Sequence, residues 1–180
     1  RFIDGPSDAW YADAVAYCVS KGIMTGTGTY QFSPNMETSR GMVVQMLYSL
    51  AGKPAVGTPS FSDVSSDAWY ADAVAWANSL GIVSGVGENA FAPEQPVTRE
   101  QLALILYKFA QFQGRDVTVD GDTNFMDYTD VRDIHDYAKT AFFWCIQEGL
   151  ITGTATDTLS PLTTATRAQL AQIMMNYDKK

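Results

Sequence analysis

The sequence predicts an all-α protein built from three copies of one two-helix repeat. The eight residues that begin at Asp8 recur from Asp67. A Ser-Arg or Thr-Arg pair opens an apolar helical run three times, and the arginines are Arg40, Arg99 and Arg167. Self-similarity of this kind is typical of repeat architectures, in which no single repeat buries its apolar surface alone. We therefore expect the three repeats to form one cooperative unit.

Shorter motifs set the predicted boundaries of the repeats. An opening Phe-x-Asp occurs as Phe2-Ile-Asp4, Phe61-Ser-Asp63 and Phe125-Met-Asp127, and Gly-Ile/Leu-x-x-Gly and Phe/Leu-x-Pro segments follow it each time. The predicted repeats span residues 1–54, 60–114 and 124–180, with a short insertion before the first helix of the third. Linkers at 52–60 and 113–124 are rich in Gly, Pro, Thr and Asp.

The first helix of each repeat is predicted to be apolar on nearly all sides. In the first repeat it runs from about Trp10 to Lys21, with Asp8 as N-cap and Gly22 as the C-terminal stop. A helix of this composition is buried on most sides, so the three first helices are expected to pack on one another.

The second helix of each repeat is predicted to begin at its arginine, over about 40–51, 99–112 and 167–177. Thr98 is the predicted N-cap of the middle one, and Gln101 stands where a capping box requires Glu or Gln. Thr166 and Gln169 repeat this pair. In the first repeat the corresponding residue is Met42, which cannot complete the box.

The three arginines occupy the first helical position, where a cation opposes the helix dipole at a cost of a few tenths to about 1 kcal/mol. Their recurrence indicates a functional reason. Free backbone amides and a guanidinium at one helix end form a site for a carboxylate or phosphate. The alternative for Arg99 and Arg167 is a surface salt bridge to Asp63 or Asp127. For Arg40 the two interpretations are equally open.

Three glycines follow the first helices at equivalent positions, namely Gly26, Gly85 and Gly153. We expect each to supply a turn with positive φ, which also allows a ligand to approach the backbone. They are therefore candidate binding residues.

Two tryptophans and three aspartates complete the candidate set. Trp10 and Trp69 are interpreted first as core or groove-wall residues and second as surfaces on which a sugar ring stacks. Asp63, like Asp4 and Asp127, is expected to cap a local turn, with contact to a ligand hydroxyl as the alternative.

The negative net charge of the chain argues against some classes of binding partner. With 180 residues and a formal net charge of −8, the chain is not suited to nonspecific binding of nucleic acid or an anionic membrane. There is no apolar run of transmembrane length, so membrane insertion is not expected. Because the chain starts at Arg1 directly on a motif, we expect it to be an excised fragment.

Cysteine, histidine and acidic residues give no sign of a cofactor, a metal site or catalysis. Cys18 and Cys145 are interpreted as buried free thiols, with a disulfide between them as the alternative. His135 has no partner pattern for nucleophilic or metal chemistry. The loop with Asp116, Asp120 and Asp122 lacks the spacing of a calcium loop and is interpreted as a solvated linker.

These motifs together resemble the S-layer homology module. The resemblance is carried by the opening Phe-x-Asp, the Trp-Tyr pair, Gly-Ile-x-x-Gly, Phe-x-Pro and the Thr-Arg motif, and it covers nearly the whole chain. It implies a monomeric pseudo-three-fold spindle, with a central three-helix bundle and three prongs. It also implies binding of cell-wall polysaccharide, often pyruvylated, in the grooves between prongs, with the motif arginine as a ligand contact.

The leading hypothesis is therefore a noncatalytic, extracellular module that anchors a protein to a bacterial cell wall through an anionic polysaccharide. Peptidoglycan itself is a further candidate partner. A second hypothesis is a structural module for S-layer self-assembly whose glycan binding is degenerate. A third is a wall-hydrolysing enzyme. The fourth motif position is Met42 in the first repeat and Gln in the other two, and the third repeat has Tyr137 in place of Trp together with its insertion. We therefore favour a site that involves the second repeat and do not expect three equal sites.

Overall fold

The computed structural model describes residues 2–58, 60–121 and 125–180. The predicted all-α class is confirmed: within these ranges the regular elements are helices, and extended pairing is confined to isolated bridges. The six α-helices are α1 (Ala12–Ser20), α2 (Arg40–Leu50), α3 (Ala71–Ser79), α4 (Arg99–Phe112), α5 (Lys139–Gln147) and α6 (Arg167–Asp178).

The chain divides into two compact units. One comprises Arg1–Pro96 and Ala165–Lys180, and in it α1 packs on α6 and α2 packs on α3. The other comprises Val97–Thr164, where α4 packs on α5. The principal contacts thus join the second helix of one repeat to the first helix of the next, and the last helix packs on the first. This arrangement differs from the predicted packing of the first helices on one another.

Apolar side chains of the paired helices form the core of each unit. Val43, Leu47 and Val74 are fully buried between α2 and α3, whereas Leu106 and Phe142 are fully buried between α4 and α5. Complete burial of a Leu- or Phe-sized side chain stabilises the folded state by roughly 1.5–3 kcal/mol.

The two cysteines lie in these cores as free thiols. The Cys18 thiol donates to the Ala171 carbonyl oxygen at 3.3 Å, and the Cys145 thiol donates to that of Ala103 at 3.7 Å. Burial raises the pKa of Cys18 to about 12. Both thiols therefore act as small core side chains, as interpreted from the sequence.

The predicted start of the first helices is wrong. α1 begins at Ala12, and its N-cap is Tyr11, with no side-chain cap, rather than Asp8. The residues before it are used in two tight turns, because Ala9 donates its amide to Pro6 and Ala12 donates to Ala9. The C-terminal stop is confirmed, since Gly22 follows the last turn at φ 69°.

The second helices begin at the predicted residues. Thr98 and Thr166 cap α4 and α6, and Gln101 and Gln169 complete both capping boxes. In α2 the Ser39 hydroxyl accepts the amide of Met42, but the reciprocal bond is missing because a methionine side chain has no oxygen to accept it.

The third repeat has a different register from the one expected. Asp4 and Asp63 accept the backbone amides of Phe32 and Phe91, each at 2.8 Å. In the third repeat this role belongs to Asp130, which accepts the amide of Leu159 at 2.8 Å, and not to Asp127. The opening motif is therefore Tyr128-Thr-Asp130, and Phe125-Met-Asp127 is a separate 3₁₀ turn contributed by the insertion. The boundary at 124, and Asp122, lie outside the described residues.

Candidate functional site

The side chains of the motif arginines donate hydrogen bonds to loop carbonyls of the next repeat. Arg167 reaches the first repeat, where its Nε donates to the Phe32 carbonyl oxygen at 2.8 Å and its Nη2 to that of Thr25 at 2.7 Å. Arg40 makes the same pair of bonds with Phe91 and Ser84. Arg99 makes them with Leu159 and Thr152.

Two of these arginines, Arg99 and Arg167, are buried, whereas Arg40 is partly exposed. Arg99 and Arg167 are each 5% exposed, and burial lowers the pKa of both guanidinium groups. Nearby carboxylates counteract that effect on the pKa, Asp130 for Arg99 and Asp4 for Arg167. The alternative of a surface salt bridge is therefore wrong, because both side chains donate to backbone carbonyls and not to a carboxylate.

The backbone amides at the start of the second helices are not free, contrary to the sequence-based prediction. In α6, Arg167 and Ala168 donate their amides to the carbonyls of Met36 and Pro34, at 2.8 and 2.9 Å. The amide of Gln169 donates to the Thr166 hydroxyl. The starts of α2 and α4 follow the same scheme. An anion therefore cannot bind there through unoccupied amides.

Asp63 and Asp4 act as caps, as expected, but the loop that each one caps lies 28 residues further along the chain and is not a local turn. The Asp63 carboxylate accepts the amides of Phe91 and Ala92 at 2.8 and 2.7 Å. These backbone hydrogen bonds, that from Phe91 first, lower the pKa of Asp63. Each cap fixes the loop whose carbonyls receive the arginine of the preceding repeat.

The three candidate glycines are required for space and not for positive φ. Gly26, Gly85 and Gly153 lie outside the left-handed region. A Cβ on Gly26 would come within 2.5 Å of the Phe2 ring and 2.6 Å of the Gln31 carbonyl oxygen. A Cβ on Gly85 or Gly153 would approach backbone oxygens to 2.7–2.8 Å. The expectation of a positive-φ turn was wrong, although a close backbone approach is present.

A cavity of about 480 Å³ in the first unit brings several predicted residues together. All three repeats contribute to it: the loop around Gly26 and helix α2 come from the first, Trp69 from the second and Arg167 from the third. Trp69 is 56% exposed and packs edge-on against Tyr70. The interpretation of Trp69 as a groove-wall residue is consistent with this position.

The lining of the cavity is basic although the chain is acidic. Arg167 and Lys53 both line it, and none of the described residues around it is Asp or Glu. Met42, Met46 and Ile23 supply an apolar wall. Lys53 was not predicted from the sequence; the signal that could have found it is a cation three residues beyond the end of α2 at Leu50. In the structure Lys53 has a left-handed backbone, with φ 53°.

Trp10 does not line this cavity, although it is 64% exposed and contacts Tyr11 edge-on. The cavity likewise lacks Asp63, Arg40, Arg99, Gly85 and Gly153. Within the described residues, no cluster of His, Cys, Asp and Glu has an arrangement that could hold a metal ion.

A polar cluster in the second unit was also missed. Glu100 is 2% exposed, and its carboxylate accepts hydrogen bonds from the backbone amide of His135 at 3.0 Å and the hydroxyl of Tyr137 at 2.8 Å. The His135 Nδ1 lies 2.7 Å from the same carboxylate. Burial first, and Glu100 second, raise the pKa of Tyr137 to about 12. In α2 the residue equivalent to Glu100 is Gly41, and the absence of a side chain there leaves space for the Tyr70 ring.

Comparison with known families identifies the family to which these three repeats belong. A model of the S-layer homology domain matches residues 1–41, 60–103 and 127–171. The chain belongs to the S-layer homology family. The predicted resemblance and the three-repeat organisation are thereby confirmed.

Relatives of this S-layer homology chain include surface-layer proteins and enzymes. It is 29% identical to an S-layer protein of Bacillus thuringiensis subsp. finitimus, over 99% of the chain and 21% of that protein. It is 30% identical to an amylopullulanase of Thermoanaerobacterium thermosulfurigenes and 28% identical to the exoglucanase XynX of Acetivibrio thermocellus, over 96% of the chain in both cases. It covers only 9% and 16% of those two enzymes.

The S-layer homology assignment confirms the predicted localisation at the bacterial cell surface. In the described part of the chain, no helix has the length and apolar character needed to cross a bilayer. The matched segment is a small part of each relative named above, so their activities belong to proteins several times its length.

Proposed function

We propose that this chain is a noncatalytic wall-anchoring module whose cavity beside Trp69 binds an anionic, pyruvylated secondary cell-wall polysaccharide. The observation that carries the proposal is the basic, carboxylate-free lining of that cavity in a chain with a net charge of −8. An anionic ligand is repelled by the protein as a whole, so local cations are needed to hold it.

The ligand groups follow from the chemistry of the lining. A ketal-linked pyruvate presents one carboxylate, which Lys53 would bind with charge-assisted hydrogen bonds next to the positive charge of the Arg167 guanidinium. The exposed ring of Trp69 offers an apolar face for a sugar ring. The apolar wall around Met42 suits a methyl or acetyl substituent.

Most of the remaining candidate residues lie in other repeats, at positions equivalent to Arg167, Gly26 and Trp69. We propose Arg40, Arg99, Gly85, Gly153 and Trp10 as contributors to further sites, and Asp63 as a residue that holds the loop rather than the ligand. Because each of the three motif arginines already donates two side-chain hydrogen bonds to loop carbonyls, their part in binding is chiefly to position the loops and to supply positive charge.

The test is co-sedimentation of the chain with purified cell-wall sacculi, before and after acid extraction of the secondary polymer. Pelleting that disappears on extraction supports the proposal. Pelleting that persists identifies peptidoglycan as the partner. Absence of pelleting, together with concentration-dependent oligomers in light scattering, favours the alternative of self-assembly. Release of reducing ends from the walls would show an enzyme instead.

Variants locate the binding site. Lys53→Gln and Trp69→Ala should each weaken pelleting without lowering the melting temperature, because Lys53 is exposed and Trp69 is 56% exposed. Matched controls are Lys179→Gln and Tyr30→Ala, which alter an exposed lysine and an exposed aromatic residue outside the cavity. Equal losses in variants and controls would contradict this placement of the site.

A further inference from the structure

Helix α2 differs from the other second helices at one position that lines the cavity beside Trp69. Its residue at N3 is Met42, whereas α4 and α6 have Gln101 and Gln169 there. Those two glutamine side chains fold back, and each accepts the backbone amide of its own N-cap residue, at 3.1 Å in α4 and 3.0 Å in α6. A methionine has no acceptor for that bond, so α2 begins with an incomplete cap.

Met42 lines the cavity together with a second methionine of the same helix. Met46 lies one turn further along the same face of α2 and is 4% exposed. The residues equivalent to Met46 in α4 and α6 are Ile105 and Ile173. An unbranched thioether side chain adapts to the shape of an apolar group more readily than a branched isoleucine does. The start of α2 therefore presents an adaptable apolar surface to the cavity.

The cation in the same cavity gives little selectivity between anionic glycans. Lys53 carries a point charge with rotatable donors, so it would bind the carboxylate of a uronic acid as readily as that of a pyruvate ketal. The two groups differ beside the carboxylate, because the ketal carbon also carries a methyl group and the corresponding carbon of a uronic acid does not. An apolar surface next to the cation discriminates between them.

We propose, on the basis of the polysaccharide binding proposed above, that Met42 is a specificity-determining residue. With Met46 it contacts the methyl group of the pyruvate ketal and so favours this ligand over other anionic sugars. Glutamine at this position would complete the cap of α2 but would present an amide where the methyl group binds. The incomplete cap is thus a local loss of stability at a functional position.

The probes are two soluble competitors of wall binding that differ by one methyl group. One is a methyl glucoside that carries a cyclic pyruvate ketal, and the other is the same glucoside with the cyclic acetal of glyoxylate. Each has one carboxylate. In co-sedimentation with purified cell-wall sacculi, the ketal should displace the wild-type chain at an about four-fold lower concentration, the preference expected from burial of one methyl group.

Variants separate the role of Met42 in selectivity from its role in the helix. Met42→Gln should lose the preference for the ketal and raise the melting temperature, whereas a purely structural role would leave the preference unchanged. Met42→Leu keeps an apolar side chain and should retain the preference. Lys53→Gln should weaken both competitors alike, because both carry the carboxylate. Met36→Gln, at a methionine that is 43% exposed and outside the cavity lining, is the matched control and should behave like the wild type.

Displacement of the wild-type chain by both competitors equally, or by neither, would overturn the proposed role of Met42. A preference for the ketal that Met42→Gln retains would overturn it as well. Failure of the wild-type chain to pellet with sacculi would instead refute the wall binding on which this role depends, so the two failures are distinguishable.

Discussion

Arg167 holds Phe32 in two ways: its guanidinium lies over the phenyl ring at 4.6 Å, and its Nε donates to the backbone carbonyl at 2.8 Å. The two residues are 135 positions apart in the chain. Since Arg40 makes the same pair of contacts with Phe91, the arginine motif is first of all a connection between one repeat and the next.

Loss of this connection should destabilise the protein. In Arg99→Ala two carbonyls lose a buried donor, and we expect the free energy of unfolding to fall by about 2–5 kcal/mol. Sequence analysis had assigned Arg99 to a ligand site, with a surface salt bridge as the alternative. Urea unfolding measures the difference, with Arg132→Ala as the control at an exposed arginine. Similar unfolding midpoints for the two variants would show that the Arg99 hydrogen bonds contribute little.

A methyl group at Gly85 should also be destabilising. The Cβ of Gly85→Ala would stand 2.7 Å from the Ala90 carbonyl oxygen and 2.8 Å from the Phe61 ring, so the loop must shift. Overpacking of this kind costs about 1–3 kcal/mol. Gly57→Ala is the matched control, because no atom lies within 4 Å of the added carbon. Equal melting temperatures for the two variants would contradict the role assigned to Gly85.

The incomplete cap of α2 can be repaired. Met42→Gln places at N3 the residue that completes the capping boxes of α4 and α6. We expect the free energy of unfolding to rise by about 0.5–1 kcal/mol. The reciprocal change, Gln101→Met, should lower it by a similar amount. Thermal melts that move both variants in the same direction would rule out the capping explanation.

Stability should decrease in acid because of the loop caps. Backbone hydrogen bonds, chiefly those from Phe32 and Phe91, lower the pKa of Asp4 and Asp63 in the folded state. A lowered folded-state pKa contributes stability that is complete above the unfolded value of about 4 and is lost as the pH falls through the folded value.

Urea unfolding between pH 7 and pH 2 measures this loss. Asp4→Asn should reduce stability at pH 7 and flatten the profile below about pH 4, because the carboxylate that titrates is gone. Asp8→Asn, at an exposed position of the same repeat, is the control. A profile for Asp4→Asn as steep as that of the control would contradict the assignment.

Local patterns in the sequence predicted the second helices well. The N-cap, capping-box and arginine positions recur, and α4 begins and ends at the predicted residues. The starts of the first helices were predicted less well. Asp8 has a side chain typical of an N-cap, but two tight turns follow it and the helix begins only at Ala12. The opening motif of the third repeat was misplaced because the insertion contains a second aromatic-x-Asp sequence.

The sequence by itself determined the three repeats, the all-helical class, the family and the starts of the second helices, because these depend on periodicity and short-range capping. Only the tertiary structure decided what the arginines and glycines do. Arg167 meets Phe32, and Gly26 meets Phe2, through contacts that no local spacing records. The basic cavity at Lys53 likewise arises from side chains that the chain brings together only when it folds.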